Sequence, residues 1–255
     1  MKLSVRESGD ARGLPVVLLH AFPMSSAMWE PQLEALKAYR VILPDFRGFG
    51  ATPLSSPWFI EHAVDDLFET LTAAGVEKAV LVGLSMGGYV ALRAVEKNPS
   101  RVKALVLCDT RSEADANENK IKRAAAVDFV RTRGVAPFLE PFLNDALAPK
   151  TKAEKPKVVE FLKGVALKSS PDAVMAALAA LASRGDMTSA LSAIKIPATV
   201  FLGSQDKITP LPLAEALRAR IPGAELHLIP DAGHFSNAEN PVAFNERLVS
   251  FLNRL

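Results

Sequence analysis

The sequence predicts an α/β fold, with a mostly parallel sheet and helices on both of its faces. Two observations support this prediction. Short runs rich in Val, Leu and Ile alternate along the chain with longer segments of helical patterning, which is typical of parallel strands joined by helical crossovers. Most of the short runs also contain few polar residues, as expected for strands that helices cover on both faces.

The apolar runs are predicted strands, and the amphipathic segments between them are predicted helices. The strands span residues 3–6, 16–20, 41–43, 79–83, 102–108, 198–203 and 225–229. The helices span residues 26–38, 58–74, 86–97, 211–220 and 241–255.

One stretch departs from this alternation. Residues 111–186 contain only helical patterning, punctuated by prolines. We interpret them as a helical cap inserted after the sixth strand, so that residues 1–110 and 187–255 form the core domain. An insertion at the carboxyl ends of parallel strands lies over the crevice where ligands bind in open α/β sheets. A peripheral helical decoration is the alternative interpretation.

The composition limits the classes of function. With 255 residues, of which 49% are hydrophobic and 23% charged, the chain has the profile of an ordinary globular protein. Its formal net charge of +2 argues against a nucleic-acid partner. Cys108 is the single cysteine, which excludes an intrachain disulfide and a cysteine-based zinc site. Since neither an apolar leader nor a run of about 18 apolar residues is present, we expect a cytoplasmic protein without a membrane partner.

The junction GLSMGG, residues 83–88, is the strongest chemical signal. A predicted strand turns there directly into a predicted helix, and Ser85 occupies the corner of a Gly-x-Ser-x-Gly pattern. The residues two before and two after such a corner come close together, which explains Gly83 and Gly87. Ser85 then projects its hydroxyl at the carboxyl edge of the sheet, beside a helix N-terminus, as in a nucleophile elbow.

Together with four further motifs, this elbow resembles the α/β-hydrolase family, in particular its esterases and lactonases. The motifs are HAFPMS at His20, PDFRGFGAT at Pro44, GSQD at Gly203 and DAGHF at Asp231. The resemblance covers nearly the whole chain. It implies hydrolysis of esters, lactones, thioesters or β-diketones without a cofactor.

A serine nucleophile needs a base within hydrogen-bond reach, and the sequence has four histidines. His234 follows the last predicted strand, at the edge where Ser85 emerges, and its place after the serine and the acid fits the chain order of this fold. We therefore predict that His234 is the base. His20 is interpreted as bracing its loop, His62 as a helix-surface residue and His227 as an ordinary strand residue.

Two aspartates are candidates for the acid that orients this base. Asp206 closes GSQD just after the strand 198–203, whereas Asp109 ends the strand 102–108. Some relatives carry their acid at the position of Asp109, but the GSQD match favours Asp206. A carboxylate there would hold the imidazole tautomer and stabilise the imidazolium.

The resemblance also implies an oxyanion hole made by the backbone N–H groups of Phe22 and Met86. The candidate substrate-pocket residues are all bulky and apolar: Ile208, Phe235, Phe138 and Phe142. Phe138 and Phe142, like Phe129 and Phe161, belong to the insertion and either line an acyl pocket or form the core of that insertion. No residues stand at metal-ligand spacing, so we expect no metal.

The sequence thus predicts a serine hydrolase that cleaves small carboxylic esters through an acyl-serine intermediate. Enol-lactone hydrolysis and C–C bond hydrolysis use the same machinery and are alternative activities. A low-turnover receptor for a small molecule is the alternative of a different class, because such a receptor can keep a triad. The predicted ligand is a small ester or lactone, and the oligomeric state is left open.

Overall fold

The computed structural model describes residues 1–55 and 57–255. Its strands are β1 (Val5–Gly9), β2 (Pro15–Leu19), β3 (Arg40–Pro44), β4 (Ala79–Leu84), β5 (Val102–Cys108), β6 (Ala198–Gly203) and β7 (Glu225–Ile229). They form one seven-stranded sheet in the order β1-β3-β2-β4-β5-β6-β7.

The sheet is mostly parallel, as the apolar strand pattern predicts. β1 runs antiparallel to β3, whereas the other neighbouring strands run parallel to each other. The register places Gly83 of β4 between Leu19 of β2 and Leu107 of β5. Every residue of β4 and β6 is buried, because these strands lie inside the sheet. The predicted fold class is confirmed.

The helices of the described residues follow the strands in alternation, with one long interruption. They are α1 (Ile60–Ala73), α2 (Met86–Lys97), α3 (Asn117–Arg133), α4 (Val135–Ala146), α5 (Pro149–Glu154), α6 (Pro156–Ala166), α7 (Pro171–Ser183), α8 (Leu211–Arg220), α9 (Ser236–Glu239) and α10 (Pro241–Leu252).

Helices α3 to α7 all lie between β5 and β6 in the chain. The expected position of this segment, after the sixth strand, is wrong by one strand. Within the described part of residues 1–110, only five segments pair into the sheet, so the insertion follows the fifth strand.

The segment 26–38, predicted as one helix, forms a 3-10 helix over Ser26–Gln32 followed by turns. Pro31 lies inside this segment. Proline has no N–H group and its ring crowds the preceding turn, which disfavours an α-helix at this position. The apolar pattern still has its expected consequence, because Met28 and Trp29 are fully buried.

No single helix of the described residues is both long and apolar enough to cross a membrane. α6 and α7 pass this test only as a pair, and they meet at an angle of 93°.

Candidate active site

The turn from β4 into α2 places Ser85 in a strained backbone conformation. Its φ of 53° and ψ of −110° lie in a region that residues with a side chain rarely adopt. A Cβ atom on Gly83 would lie 2.3 Å from the carbonyl oxygen of Gly87. Gly83 is therefore required by the close approach of the chain on either side of the corner. Gly87 is required by β2, because a Cβ there would lie 2.1 Å from the Leu19 carbonyl oxygen.

Neighbouring contacts hold this corner in place. The Ser85 amide donates to the Cys108 carbonyl at 2.9 Å, and the Thr110 hydroxyl donates to the Ser85 carbonyl at 2.9 Å. A Cβ on Gly88 would lie 2.5 Å from the Thr110 Oγ1 atom. Gly88 thus lets α2 approach the segment that follows β5.

Three side chains from separate loops meet at this corner. The Nε2 atom of His234 lies 2.9 Å from Oγ of Ser85, and its Nδ1 atom lies 2.9 Å from Oδ2 of Asp206. His234 is 1% exposed and Ser85 9% exposed, so the hydrogen bonds are shielded from water. Because the carboxylate only accepts, Nδ1 carries the proton and Nε2 is free to accept from the serine hydroxyl.

The Asp206 carboxylate is oriented by its own turn. Its Oδ1 atom accepts from the amides of Ile208 at 2.8 Å and Thr209 at 3.0 Å, and its Oδ2 atom accepts from the Thr209 hydroxyl. These bonds fix the oxygen that faces His234. Ile208, predicted as a pocket residue, is half-buried beside this turn.

The charges at the site favour a His234–Asp206 ion pair. Burial disfavours the imidazolium, but the attraction of Asp206 and its hydrogen bond, together with the charges of Asp109 and Glu239, raise the pKa of His234 above its ordinary value. Burial likewise opposes the ionised form of Asp206. The charge of His234 and the hydrogen bonds from His234 and Thr209 outweigh this effect of burial, so the pKa of Asp206 is lowered.

Asp109, the rival acid, is buried close to the site but is directed elsewhere. Its Oδ1 atom accepts from the Gly203 amide at 2.7 Å, and the Ser236 hydroxyl donates to Oδ2. Burial raises the pKa of Asp109 well above its ordinary range, and the charge of Asp206 raises it further. Among the described contacts it makes no hydrogen bond to His234.

The other histidines make structural contacts. His20 Nε2 accepts from the Phe46 amide at 3.0 Å while Nδ1 donates to the Ala21 carbonyl at 2.9 Å, and this ring braces the turn after β2. The His62 Nδ1 atom accepts from the Phe59 amide at the start of α1. His227 pairs with Glu225 at 3.1 Å on β7.

The backbone N–H groups of Phe22 and Met86 are the predicted oxyanion donors. Met86 is the first residue of α2, so its N–H group has no partner within that helix. Among the described contacts neither amide donates a hydrogen bond to another group of the chain.

An aromatic cluster, formed by Phe22, Phe138, Phe142 and Phe235, lies against His234. The ring centres are 6.0 Å apart for Phe22 and Phe142, 6.3 Å for Phe142 and Phe235, and 5.7 Å for Phe235 and His234. Phe138 stacks on Phe142 and also contacts Phe22. The insertion therefore contacts the site through α4.

The remaining two phenylalanines of the insertion make no ring contact with this cluster among the described residues. Phe129 is 42% exposed on α3. Phe161 is half-buried on α6 and packs against the core. No group of three or more His, Cys, Asp or Glu side chains in the described part of the chain is arranged to hold a metal ion.

Glu239 is the residue near the site that sequence reasoning missed. Its fully buried carboxylate accepts from the amides of Gly233 and Phe235, the two neighbours of His234. The signal in the sequence is a carboxylate five positions after His234 in a segment that is otherwise short of charge.

A family model for the α/β hydrolase fold matches residues 15–241 of the chain. The chain belongs to the α/β-hydrolase family. A thermophilic esterase from Thermogutta terrifontis, solved with malate bound, is 36% identical with a TM-score of 0.95, over 99% of this chain and 93% of that one.

Two curated α/β hydrolases extend the comparison. A putative carbamate hydrolase from Caulobacter is 29% identical over 93% of this chain and 90% of its own length. A 3-oxoadipate enol-lactonase from Acinetobacter baylyi is 27% identical over 98% of this chain and 92% of its own length. These similarities support a hydrolase that acts on a small molecule.

Proposed function

We propose that this α/β hydrolase cleaves small carboxylic esters through an acyl-serine intermediate. The observation that carries the proposal is the continuous set of hydrogen bonds from Ser85 through His234 to Asp206, at a strained strand-to-helix corner. A serine hydroxyl is a weak nucleophile until an adjacent base accepts its proton. The 2.9 Å distance from His234 Nε2 to Ser85 Oγ supports His234 as that base.

In the acylation step, Ser85 Oγ attacks the ester carbonyl carbon and its proton moves to His234 Nε2. His234 then gives this proton to the alcohol oxygen, and the bond between that oxygen and the acyl carbon breaks. In deacylation a water molecule attacks the acyl carbon while His234 takes its proton. The proton returns to Ser85 Oγ as the carboxylic acid leaves. Asp206 holds the imidazole orientation and stabilises the imidazolium throughout.

The amides of Phe22 and Met86 are proposed to bind the oxyanion of the tetrahedral intermediates. Two observations support this: neither donates a hydrogen bond among the described contacts, and Met86 begins a helix, where the dipole favours negative charge. Donors that are fixed before the reaction stabilise the developing charge without reorganisation.

We assign residues 111–186 as a cap domain over this site, with residues 1–110 and 187–255 as the core domain. The ring contacts from Phe138 and Phe142 to Phe22 support the assignment. Together with Phe235 and Ile208, these two phenylalanines are proposed to line the acyl side of the substrate pocket. Apolar lining with a few fixed polar groups is typical of small-molecule sites.

The similarity to the Thermogutta esterase supports an ester substrate, with the activities of the other two relatives as alternatives. The identity with the Thermogutta esterase is 36%, compared with 27% for the enol-lactonase and 29% for the putative carbamate hydrolase.

The decisive experiment measures multiple turnover on a panel of p-nitrophenyl esters and on enol-lactones, with Ser85→Ala as control. We expect turnover of the short esters and, in the variant, only the residual catalysis of about 10³–10⁴ over water that remains when a triad member is removed. A fluorophosphonate should label Ser85. A single acylation event without turnover would instead indicate a receptor, and retained activity in Ser85→Ala would overturn the proposal.

A further inference from the structure

The Glu239 carboxylate is a fully buried group that binds four hydrogen-bond donors. Oε1 accepts from the amides of Gly233 at 3.0 Å and Phe235 at 3.1 Å. Oε2 accepts from the Ala148 amide at 2.8 Å and from the Thr151 hydroxyl at 2.7 Å. Each oxygen therefore serves a different segment of the chain.

The Oε1 side fixes the backbone around His234. The amides on both sides of His234 donate to the same oxygen of Glu239. The His234 amide itself donates to the Ala146 carbonyl at 2.7 Å. Three consecutive N–H groups are thus held, which restricts the backbone that carries the imidazole. A displacement of about 1 Å at a reacting group can cost about 10²-fold in rate.

The Oε2 side reaches the insertion. Ala148 and Thr151 lie at the junction of α4 and α5, two and five residues after Ala146 in the chain. The Lys155 ammonium also donates to the Glu239 carbonyl at 2.6 Å. The segment 146–155 is therefore joined to the His234 loop by contacts that pass mainly through one residue.

Only a carboxylate satisfies all four donors at this position. A glutamine side chain has the same shape, but its NH₂ group would face two donors of the chain, leaving buried polar groups unpaired. The negative charge of Glu239 also lies close enough to His234 to contribute to its raised pKa, together with Asp206 and Asp109.

We propose that Glu239 is a positioning residue, which holds His234 in place through its backbone and ties it to the 146–151 segment of the insertion. The proposal rests on the proposed function, in which His234 is the base. It assigns part of the insertion a role in the geometry of the base, beyond covering the substrate.

The test compares Glu239→Gln with Asp115→Asn. Asp115 is the matched control, since it is a buried carboxylate of the insertion that is held by Arg111, Arg123 and Arg184 and makes no described contact with the His234 loop. For Glu239→Gln we expect kcat per fluorophosphonate-titrated site to fall about 10- to 100-fold. KM should change little, and the inflection of the pH profile should move to lower pH. Asp115→Asn should leave that inflection and kcat per site unchanged.

The second measurement does not depend on turnover. The imidazole signals of His234 are followed by NMR against pH in the wild type and in both variants. In Glu239→Gln the titration should shift to lower pH and the ring signals should broaden, whereas Asp115→Asn should match the wild type. If the wild type lacks esterase turnover, the proposed function fails, and this titration still decides the role of Glu239.

Thr151→Val keeps the inference testable if Glu239→Gln does not fold. It removes one donor to Oε2 and leaves the Oε1 bonds beside His234 in place, and we expect kcat to fall about 3- to 10-fold with KM unchanged. An unchanged kcat in Thr151→Val overturns the link to the insertion. Wild-type kcat and an unshifted His234 titration in Glu239→Gln overturn the positioning role.

Discussion

Oδ2 of Asp206 lies 2.9 Å from Nδ1 of His234, and the same oxygen accepts from the Thr209 hydroxyl. Asp206 is thus held from one side by its own turn and presents a fixed acceptor to the imidazole. The neighbouring carboxylate of Asp109 is bound by Gly203 and Ser236 instead. This division predicts different consequences for substitutions of the two aspartates.

Asp206→Asn should reduce kcat by about 10⁴-fold. An amide at this position can donate to Nδ1, which would place the imidazole proton on Nε2 and leave no acceptor for the Ser85 hydroxyl. The measurement is steady-state turnover of a short p-nitrophenyl ester, with circular dichroism to confirm that the variant is folded.

Asp109→Asn is the matched comparison and should cost far less activity. The asparagine Oδ1 atom can still accept from the Gly203 amide, and no hydrogen bond to the imidazole is removed. A large loss in Asp109→Asn with nearly normal Asp206→Asn would move the acid to the end of β5. Equal losses would indicate a shared network.

The pH profile should place the ionisation of His234 above the ordinary histidine value of about 6.5. The pKa of His234 is raised because the attraction of Asp206 outweighs burial, and the base acts in its neutral form. Activity should therefore be lost as pH falls through this raised pKa and recovered as pH rises. The pH dependence of kcat/KM reports the free enzyme. An inflection below about 6.5 would mean that burial dominates.

Patterns of residues close together in the sequence were sufficient to predict the fold class and the position of Ser85. The close approach of Gly83 to Gly87 lies within the elbow itself, so the glycine spacing predicts the corner, although a side chain at Gly87 would also meet Leu19 of β2. The inner strands β2 and β4 were predictable because they are continuously apolar, whereas the edge strands β1 and β7 carry polar residues. The conformation of the segment 26–38 was not predictable, since its apolar spacing resembles an α-helix while the segment, which contains Pro31, begins as a 3-10 helix.

Contacts between distant segments could not be predicted from the sequence. Glu239 meets Thr151 from 88 residues away, and no periodicity in either segment indicates that pairing. The same holds for Phe142, whose ring lies between Phe22 and Phe235. Sequence patterns suggested Phe142 as a pocket candidate but left open whether it belongs to the core of the insertion.

Gly83→Ala should destabilise the protein. The new Cβ atom would lie 2.3 Å from the Gly87 carbonyl oxygen. The backbone at Gly87 cannot shift to relieve this contact without moving Ser85. We expect the free energy of unfolding to fall by about 1–3 kcal/mol, measured by urea denaturation. Gly164→Ala is the control: Gly164 lies in α6 with open space around a Cβ, so this change should stabilise the protein by about 0.5–1 kcal/mol.

The Phe142 ring is expected to limit the length of the acyl group. Wild-type protein should prefer short to medium chains, because Phe142 packs between Phe22 and Phe235 beside His234. Phe142→Ala opens this space, so the ratio of kcat/KM for p-nitrophenyl hexanoate to that for the acetate should rise about 10-fold. Phe129→Ala, a change of an exposed ring in the same insertion, should leave the ratio unchanged. An equal ratio in both variants, or a wild-type optimum at long-chain lipids, would show that Phe142 does not bound the acyl site.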